Sequence, residues 1–225
     1  MSSNDATTTV VRQSEPAGYL AIPAAGKGPG VLVLHPWWGL NETIREVCDR
    51  LATLGFAAYA PDLYHGELAT TIEEAERLSQ QLDGNVAQAE ISAAVDRLWA
   101  YVEDQTKGIS IIGFSLGAYF ALQLSGADPT RVRKVVLFYG TGDGDFAQAK
   151  ATYLGHFADS DPYEPAESVA WLENALKSAN RPVTFYSYAG VGHWFFEPDR
   201  IDAYNEAAAA LAWERTVAFL KGAIT

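Results

Sequence analysis

Gly108-Ile109-Ser110-Ile111-Ile112-Gly113-Phe114-Ser115-Leu116-Gly117-Ala118-Tyr119-Phe120 is an apolar run that breaks at Gly-x-Ser-x-Gly and resumes in a helical pattern. It reads as a strand, a sharp turn and a helix. A turn this tight strains the backbone at Ser115, so small residues are needed two places before and two places after it, and Gly113 and Gly117 supply them. The turn lifts the Ser115 hydroxyl clear of the sheet. It also leaves the N–H of Leu116 at the start of a helix, where unpaired donors and the dipole favour a developing negative charge. One local feature thus offers both a nucleophile and an anion stabiliser.

The same alternation of strand and helix extends in both directions. Upstream, Val31-Leu32-Val33-Leu34 is the unbroken branched run that a parallel strand buried on both faces requires. It leads through His35-Pro36-Trp37-Trp38-Gly39-Leu40 to Asn41, an N-cap for a helix carrying Ile44, Val47, Cys48, Leu51 and Leu54 that Gly55 stops. Phe56 to Ala60 is the next strand, and Thr71-Ile72-Glu73-Glu74 has the form of a capping box. An amphipathic pattern from Val86 to Glu103 then delivers the chain to the Ser115 strand. Downstream, the Ser115 helix is expected to be capped near Gly126. Val132 to Tyr139, Ala151 to Ala158 and Pro182 to Tyr188 read as strands, Glu164 to Lys177 and Asp199 to Leu220 as helices. Thr9 to Arg12 and Gly18 to Ile22 suggest two short strands around a turn at Ser14-Glu15-Pro16-Ala17. The expected architecture is α/β, a mainly parallel central sheet with helices on both faces. Residues 1–225 read as one domain, with residues 1–8 polar and flexible.

Composition narrows the function. The chain has 225 residues, 48% hydrophobic and 20% charged, the profile of a globular protein with a sizeable core. Its net charge of −12 would repel a phosphate backbone, so no nucleic-acid partner is expected. No run of apolar residues is long enough to span a bilayer, and Met1-Ser2-Ser3-Asn4-Asp5-Ala6-Thr7 lacks the basic and apolar regions of a secretory signal. A cytoplasmic protein without a membrane partner is the expectation. The single cysteine, Cys48, sits on an apolar helical stripe and reads as a buried hydrophobe; no metal or other cofactor is implied.

Ser115 needs a base within hydrogen-bond reach, and there are four histidines. The order serine, acid, histidine, usual where the nucleophile sits on such an elbow, removes His35 and His65. His156 lies inside a strand, whereas His193 follows the last strand in Gly190-Val191-Gly192-His193-Trp194, where sites form in open α/β sheets. The orienting acid should come from Asp159-Ser160-Asp161-Pro162-Tyr163-Glu164. Asp161 is preferred because Pro162 holds the next stretch in a turn that keeps the carboxylate off the strand end. Asp159 could instead cap the loop and Glu164 open the helix, with Asp143 and Asp145 in a mobile glycine-rich loop as the fallback. A second oxyanion donor is expected from the N–H of Trp37, since Pro36 has none to give. Aromatic residues at strand ends, Trp38, Phe114, Tyr64, Tyr163 and Trp194 with Trp37 and Phe195, suggest an apolar substrate pocket over Ser115.

Together the blocks Val33 to Asn41, Asp49-Arg50-Leu51-Ala52, Gly55 to Tyr64, Gly113 to Gly117, Asp161-Pro162-Tyr163 and Gly192-His193-Trp194-Phe195 resemble the dienelactone hydrolase family of α/β-hydrolases. The resemblance covers roughly residues 29–220. It implies a compact hydrolase with a minimal lid and a triad on Ser115, Asp161 and His193. Two departures bear on substrate. Family members that open dienelactones carry cysteine at the elbow and a glutamate where Pro36 stands here. The arginine that the family places shortly after its histidine, to hold a substrate carboxylate, has no clear counterpart among Phe196, Glu197 and Pro198, with Arg200 further on. The resemblance therefore implies a serine hydrolase for a small-molecule ester or lactone, and disfavours an anionic one. An amide or thioester hydrolase with the same triad, or a catalytically silent binding protein on the same fold, are the alternatives; oligomeric state is open.

Overall fold

The computed structural model describes residues 10–15 and 17–223. The segment expected to be flexible, residues 1–8, lies outside them, as does Pro16. The strands are β1 (Val11–Glu15), β2 (Gly18–Ile22), β3 (Gly30–Leu34), β4 (Ala57–Pro61), β5 (Ile109–Phe114), β6 (Val132–Phe138), β7 (Thr152–Ala158) and β8 (Val183–Tyr188). They form one eight-stranded sheet in the order β1-β2-β4-β3-β5-β6-β7-β8. β1 and β2 are antiparallel to their neighbours, and from β4 to β8 the sheet is parallel. The apolar runs of β3 and β5 are the reason they lie at its centre, where a strand loses water on both faces.

Helices α1 (Glu42–Thr53) and α6 (Glu206–Leu220) cover one face, meeting Val31, Val33, Ile112 and Val136. Helices α3 (Gly84–Trp99), α4 (Leu116–Ala127) and α5 (Ala166–Ser178) cover the other, meeting Leu32, Leu34, Ile111 and Leu137. Neighbouring positions along a strand go to opposite layers, as a pleat dictates. Helix α2 (Ile72–Gln81) does not pack on the sheet core. It closes a satellite cluster of Trp38, Tyr64, Ala69, Ala75 and Leu78. The Thr71/Glu74 capping box and the Asn41 N-cap form as their sequences require.

Several boundaries move for identifiable reasons. Ser14 and Glu15, expected in a turn, extend β1 and pair with Tyr19 and Gly18. Gly126 does not cap α4: it is buried within the helix, where any Cβ would meet the Asp145 backbone at 2.7 Å, and Asp128 is the cap. Glu164 does not open α5. The helix starts after Pro165, while the Glu164 carboxylate accepts from the N–H and hydroxyl of Thr141 at 3.1 and 2.7 Å. Helix α6 begins at Glu206 rather than Asp199, capped by Asn205. Residues 199–205 are turns, because the Asp199 carboxylate is held by the side chains of Asn41 and Thr43 at 3.1 and 2.8 Å. The loop of Asp143 and Asp145 is tied down: Gln123 donates to the Asp143 carboxylate at 2.7 Å and the Gln148 N–H to Asp145 at 3.2 Å.

Candidate active site

The carboxyl ends of β3, β5, β6, β7 and β8 converge, and each delivers one part of the site. At the end of β5 Ser115 has φ 48 and ψ −112, a conformation a side chain rarely adopts. Both glycines are dictated by closeness. A Cβ on Gly113 would lie 2.5 Å from the Gly117 carbonyl, and one on Gly117 would lie 2.2 Å from the carbonyl of Leu34. The serine N–H donates to the Phe138 carbonyl at 2.9 Å, which anchors the strained residue to β6.

The Ser115 hydroxyl lies 3.0 Å from Nε2 of His193. On the far side of the ring, Nδ1 lies 2.7 Å from Oδ2 of Asp161, with both side chains almost fully buried. The other oxygen of Asp161 accepts the N–H groups of Tyr163 and Glu164 at 2.9 and 3.1 Å, a turn that Pro162 spans. The carboxylate is thus locked before it meets the imidazole. Asp159 is spent elsewhere: its Oδ1 accepts the Gly190 N–H at 3.1 Å and joins the exits of β7 and β8.

Leu116 is the first residue of α4, so no carbonyl of its own helix reaches its N–H. The loop bearing Trp37 is braced by a residue that elimination as a base had left without a role. His35 is fully buried; its Nε2 accepts the Leu63 N–H at 3.2 Å, so Nδ1 carries the proton and donates to the Pro36 carbonyl at 2.7 Å. Burial pushes the His35 pKa down and keeps it in this neutral form. The same Pro36 carbonyl accepts from the Gly39 N–H at 3.1 Å, closing a turn around Trp37.

A cavity of about 630 Å³ opens on His193 between Trp38, Tyr163, Trp194, Ile72 and Ile201. Trp37 stacks on Trp194 at 5.9 Å and meets Tyr163 edge-on at 5.6 Å, extending the aromatic wall. Three residues expected in this pocket are not there; one of them, Phe195, is wholly buried in the core against Tyr139 and Tyr188 at 5.5 and 5.0 Å. Phe114 is wholly buried, stacked on Phe138 at 4.6 Å, because the elbow sends the side chain before the serine down into the core. Tyr64 is inside the satellite cluster beneath α2, against His35 at 5.1 Å. In their place stands Arg200. Its guanidinium lies over Trp38 at 4.0 Å and pairs with Asp199 at 2.8 Å, on the cavity wall. Its distance in sequence from His193 concealed this, because only the turns of residues 199–205 fold it back.

The remaining titratable candidates have structural work. His65 is exposed and lies 3.4 Å from Glu90. The thiol of Cys48 is buried and its pKa pushed up by burial, which makes it a poor nucleophile. His156 is buried, its nitrogens 2.8 Å from the Tyr188 hydroxyl and 3.0 Å from that of Thr216. Burial pushes its pKa down from 6.5 to about 3. In that interval the unfolded chain takes up a proton that the folded chain refuses, so this site's contribution to stability is whole above about 6.5 and is lost as pH falls. Urea unfolding of wild type and His156→Gln at stepped pH should show wild type losing about 1.4 kcal/mol per pH unit more than the variant below that point. Equal slopes would contradict it.

Comparison with known proteins bears on the family and the fold. The chain is 33% identical over 217 residues to Protein usf of Aquifex pyrophilus, covering 92% of this chain and 94% of the relative. It is 30% identical over 220 residues to the "Probable 2-oxo-3-(5-oxofuran-2-ylidene)propanoate lactonase" of a Bradyrhizobium species, covering 90% and 88%. Its fold superimposes on the crystal structure of a dienelactone hydrolase-like promiscuous phosphotriesterase from metagenomic libraries with a TM-score of 0.82 at 23% identity, covering 96% and 98%. The profile of the dienelactone hydrolase family matches residues 17–224. With the α/β-hydrolase architecture and the site at the strand ends, the conclusion is that this chain belongs to the dienelactone hydrolase family and is a hydrolase of lactones or esters.

Proposed function

We propose that the chain is a serine hydrolase of uncharged esters or lactones carrying a bulky apolar group, with Ser115 as nucleophile, His193 as base and Asp161 as the residue that orients it. The observation that carries this reading is the unbroken hydrogen-bond chain from the serine hydroxyl through the imidazole to a locked carboxylate. Nε2 of His193 takes the proton of Ser115 as Oγ attacks the substrate carbonyl, and the N–H groups of Trp37 and Leu116 stabilise the oxyanion. The imidazolium, held by Asp161, returns its proton to the departing oxygen as the carbon–oxygen bond breaks. Water then attacks the acyl-enzyme, giving its proton to the same nitrogen, and the second collapse restores Ser115.

The cavity wall supports the substrate class. Ile201 and Ile72, 87% and 44% exposed at its rim, offer an apolar substrate group a surface against which to bury itself. The one cation of the wall, Arg200, is matched by Asp199, and Asp202 adds a further negative charge, so a substrate carboxylate meets no surplus positive charge. A neutral aryl ester with a bulky acyl group should be turned over with kcat/KM about tenfold above an analogue of equal reactivity carrying a carboxylate. Ile201→Ser should lower the first severalfold and leave the matching acetate unchanged. Preference for the carboxylate, abolished by Arg200→Gln, would contradict the assignment.

A further inference from the structure

Packed on the imidazole of His193, and not among the residues that line the cavity, stands a buried pair that the proposed mechanism does not use. The ring of Tyr139 lies 4.9 Å from that of His193, tilted by 59°. Tyr139 directly follows β6, with φ 37, and its N–H donates to the His156 carbonyl at 2.8 Å. Its hydroxyl donates to Oε1 of Glu197 at 2.7 Å. Glu197 is wholly buried, and its Oε2 has no hydrogen-bond partner. It lies four residues beyond the histidine in the same turn, which its own N–H closes on the Trp194 carbonyl at 2.9 Å.

Such an arrangement is costly. A left-handed tyrosine, and an acid in an apolar pocket with one oxygen unpaired, each oppose folding. Resting on the triad reading above, we propose that Tyr139 and Glu197 are a positioning pair: Glu197 anchors the tyrosine hydroxyl so that the ring braces the His193 imidazole in line with Ser115. The Asp161 bond fixes one nitrogen, and the ring of Tyr139 shares with Tyr163 and Trp194, each 5.0 Å from the imidazole, the work of fixing its tilt.

Burial pushes the Glu197 pKa up to about 8, so the carboxyl is uncharged through the neutral range. The charged and titratable groups around the pair are Asp199 and Arg200 beyond it in the same segment, Asp161 after β7, and His193 itself. Of these only Arg200 favours ionisation, and Asp199 already occupies it. Raising the pH through about 8 ionises Glu197, which tightens the bond from the Tyr139 hydroxyl and leaves the charge on the buried Oε2 without a partner, so the brace changes as the carboxyl titrates.

The test is the dependence of kcat and KM on pH, from about pH 6 to about pH 10, for a neutral aryl ester with wild type, Glu197→Gln and Tyr139→Phe. Competent sites are counted by a fluorophosphonate and stability is followed by urea. Glutamine keeps an acceptor for the tyrosine and never ionises, so Glu197→Gln should hold kcat near wild type at neutral pH and remove the change of kcat that wild type shows as Glu197 titrates near pH 8. Tyr139→Phe should lower kcat per competent site about tenfold at unchanged KM. An alkaline limb identical in wild type and Glu197→Gln would overturn the inference. So would a Tyr139→Phe enzyme that is less stable yet has wild-type kcat per site, a purely structural role. A folded wild type that the fluorophosphonate does not label overturns the triad reading and this inference with it, whereas a labelled wild type without these differences overturns the inference alone.

Discussion

Ser115→Ala should lower kcat/KM for ester hydrolysis by about four orders of magnitude or more, and leave the fold intact. The size follows from what is removed. Without Oγ there is no acyl-enzyme, and His193 and Asp161 lose the group on which their geometry converges. On the proposed mechanism what remains is binding in the aromatic cavity and the N–H groups of Trp37 and Leu116, which alone leave about 10³- to 10⁴-fold over the reaction in water. Ser115 supplies no side-chain cap to α4, so its hydroxyl is dispensable to the helix it precedes. Urea unfolding of the variant should match wild type to within about 0.5 kcal/mol, while turnover of a neutral aryl ester vanishes. Residual activity within tenfold of wild type would transfer the chemistry to another group.

The second large effect separates two neighbouring aspartates. Asp161→Asn should reduce kcat by about 10⁴-fold, because an amide nitrogen at that position no longer accepts the Nδ1 proton and the imidazole turns to the wrong tautomer. The residue's other oxygen continues to accept from Tyr163 and Glu164, so the turn survives. Asp159→Asn, by contrast, alters an exposed contact with the Gly190 N–H and should cost less than twofold in rate. Comparable losses in the two variants would mean that loop shape, rather than charge at the imidazole, is what the mutation disturbs.

Much of this was readable from the residues because the decisive signals are local. Gly113, Ser115 and Gly117, set between a strand pattern and a helix pattern, signal an elbow, since the glycines are required by contacts to the adjoining helix and strand. The β3 and β5 runs identify a parallel centre for the same reason: only strands buried on both faces lack polar alternation. What escaped depends on where the chain returns in space. Phe114 reads as a pocket residue because it stands at a strand end, yet the elbow points it the other way, into the core. Arg200 stands further along the sequence than the positions next to His193, and the turns within residues 199–205 carry it back to Trp38. Asp199, expected to begin a helix, is instead claimed by Asn41 and Thr43 across the molecule. His35 was dismissed as a base but fastens the Trp37 loop, and Tyr139 with Glu197 carried no signal at all, because a buried tyrosine–carboxyl bond leaves no spacing rule in the sequence.

Intact mass after exposure to a small fluorophosphonate at neutral pH, on wild type, Ser115→Ala and His193→Ala, tests the central claim most directly. An activated serine displaces fluoride at phosphorus and gains one phosphonyl group, whereas an ordinary surface serine does not react. The account predicts a single adduct on wild type, none on Ser115→Ala and a greatly slowed one on His193→Ala. A folded wild type that remains unmodified, or an equal adduct on Ser115→Ala, would contradict it.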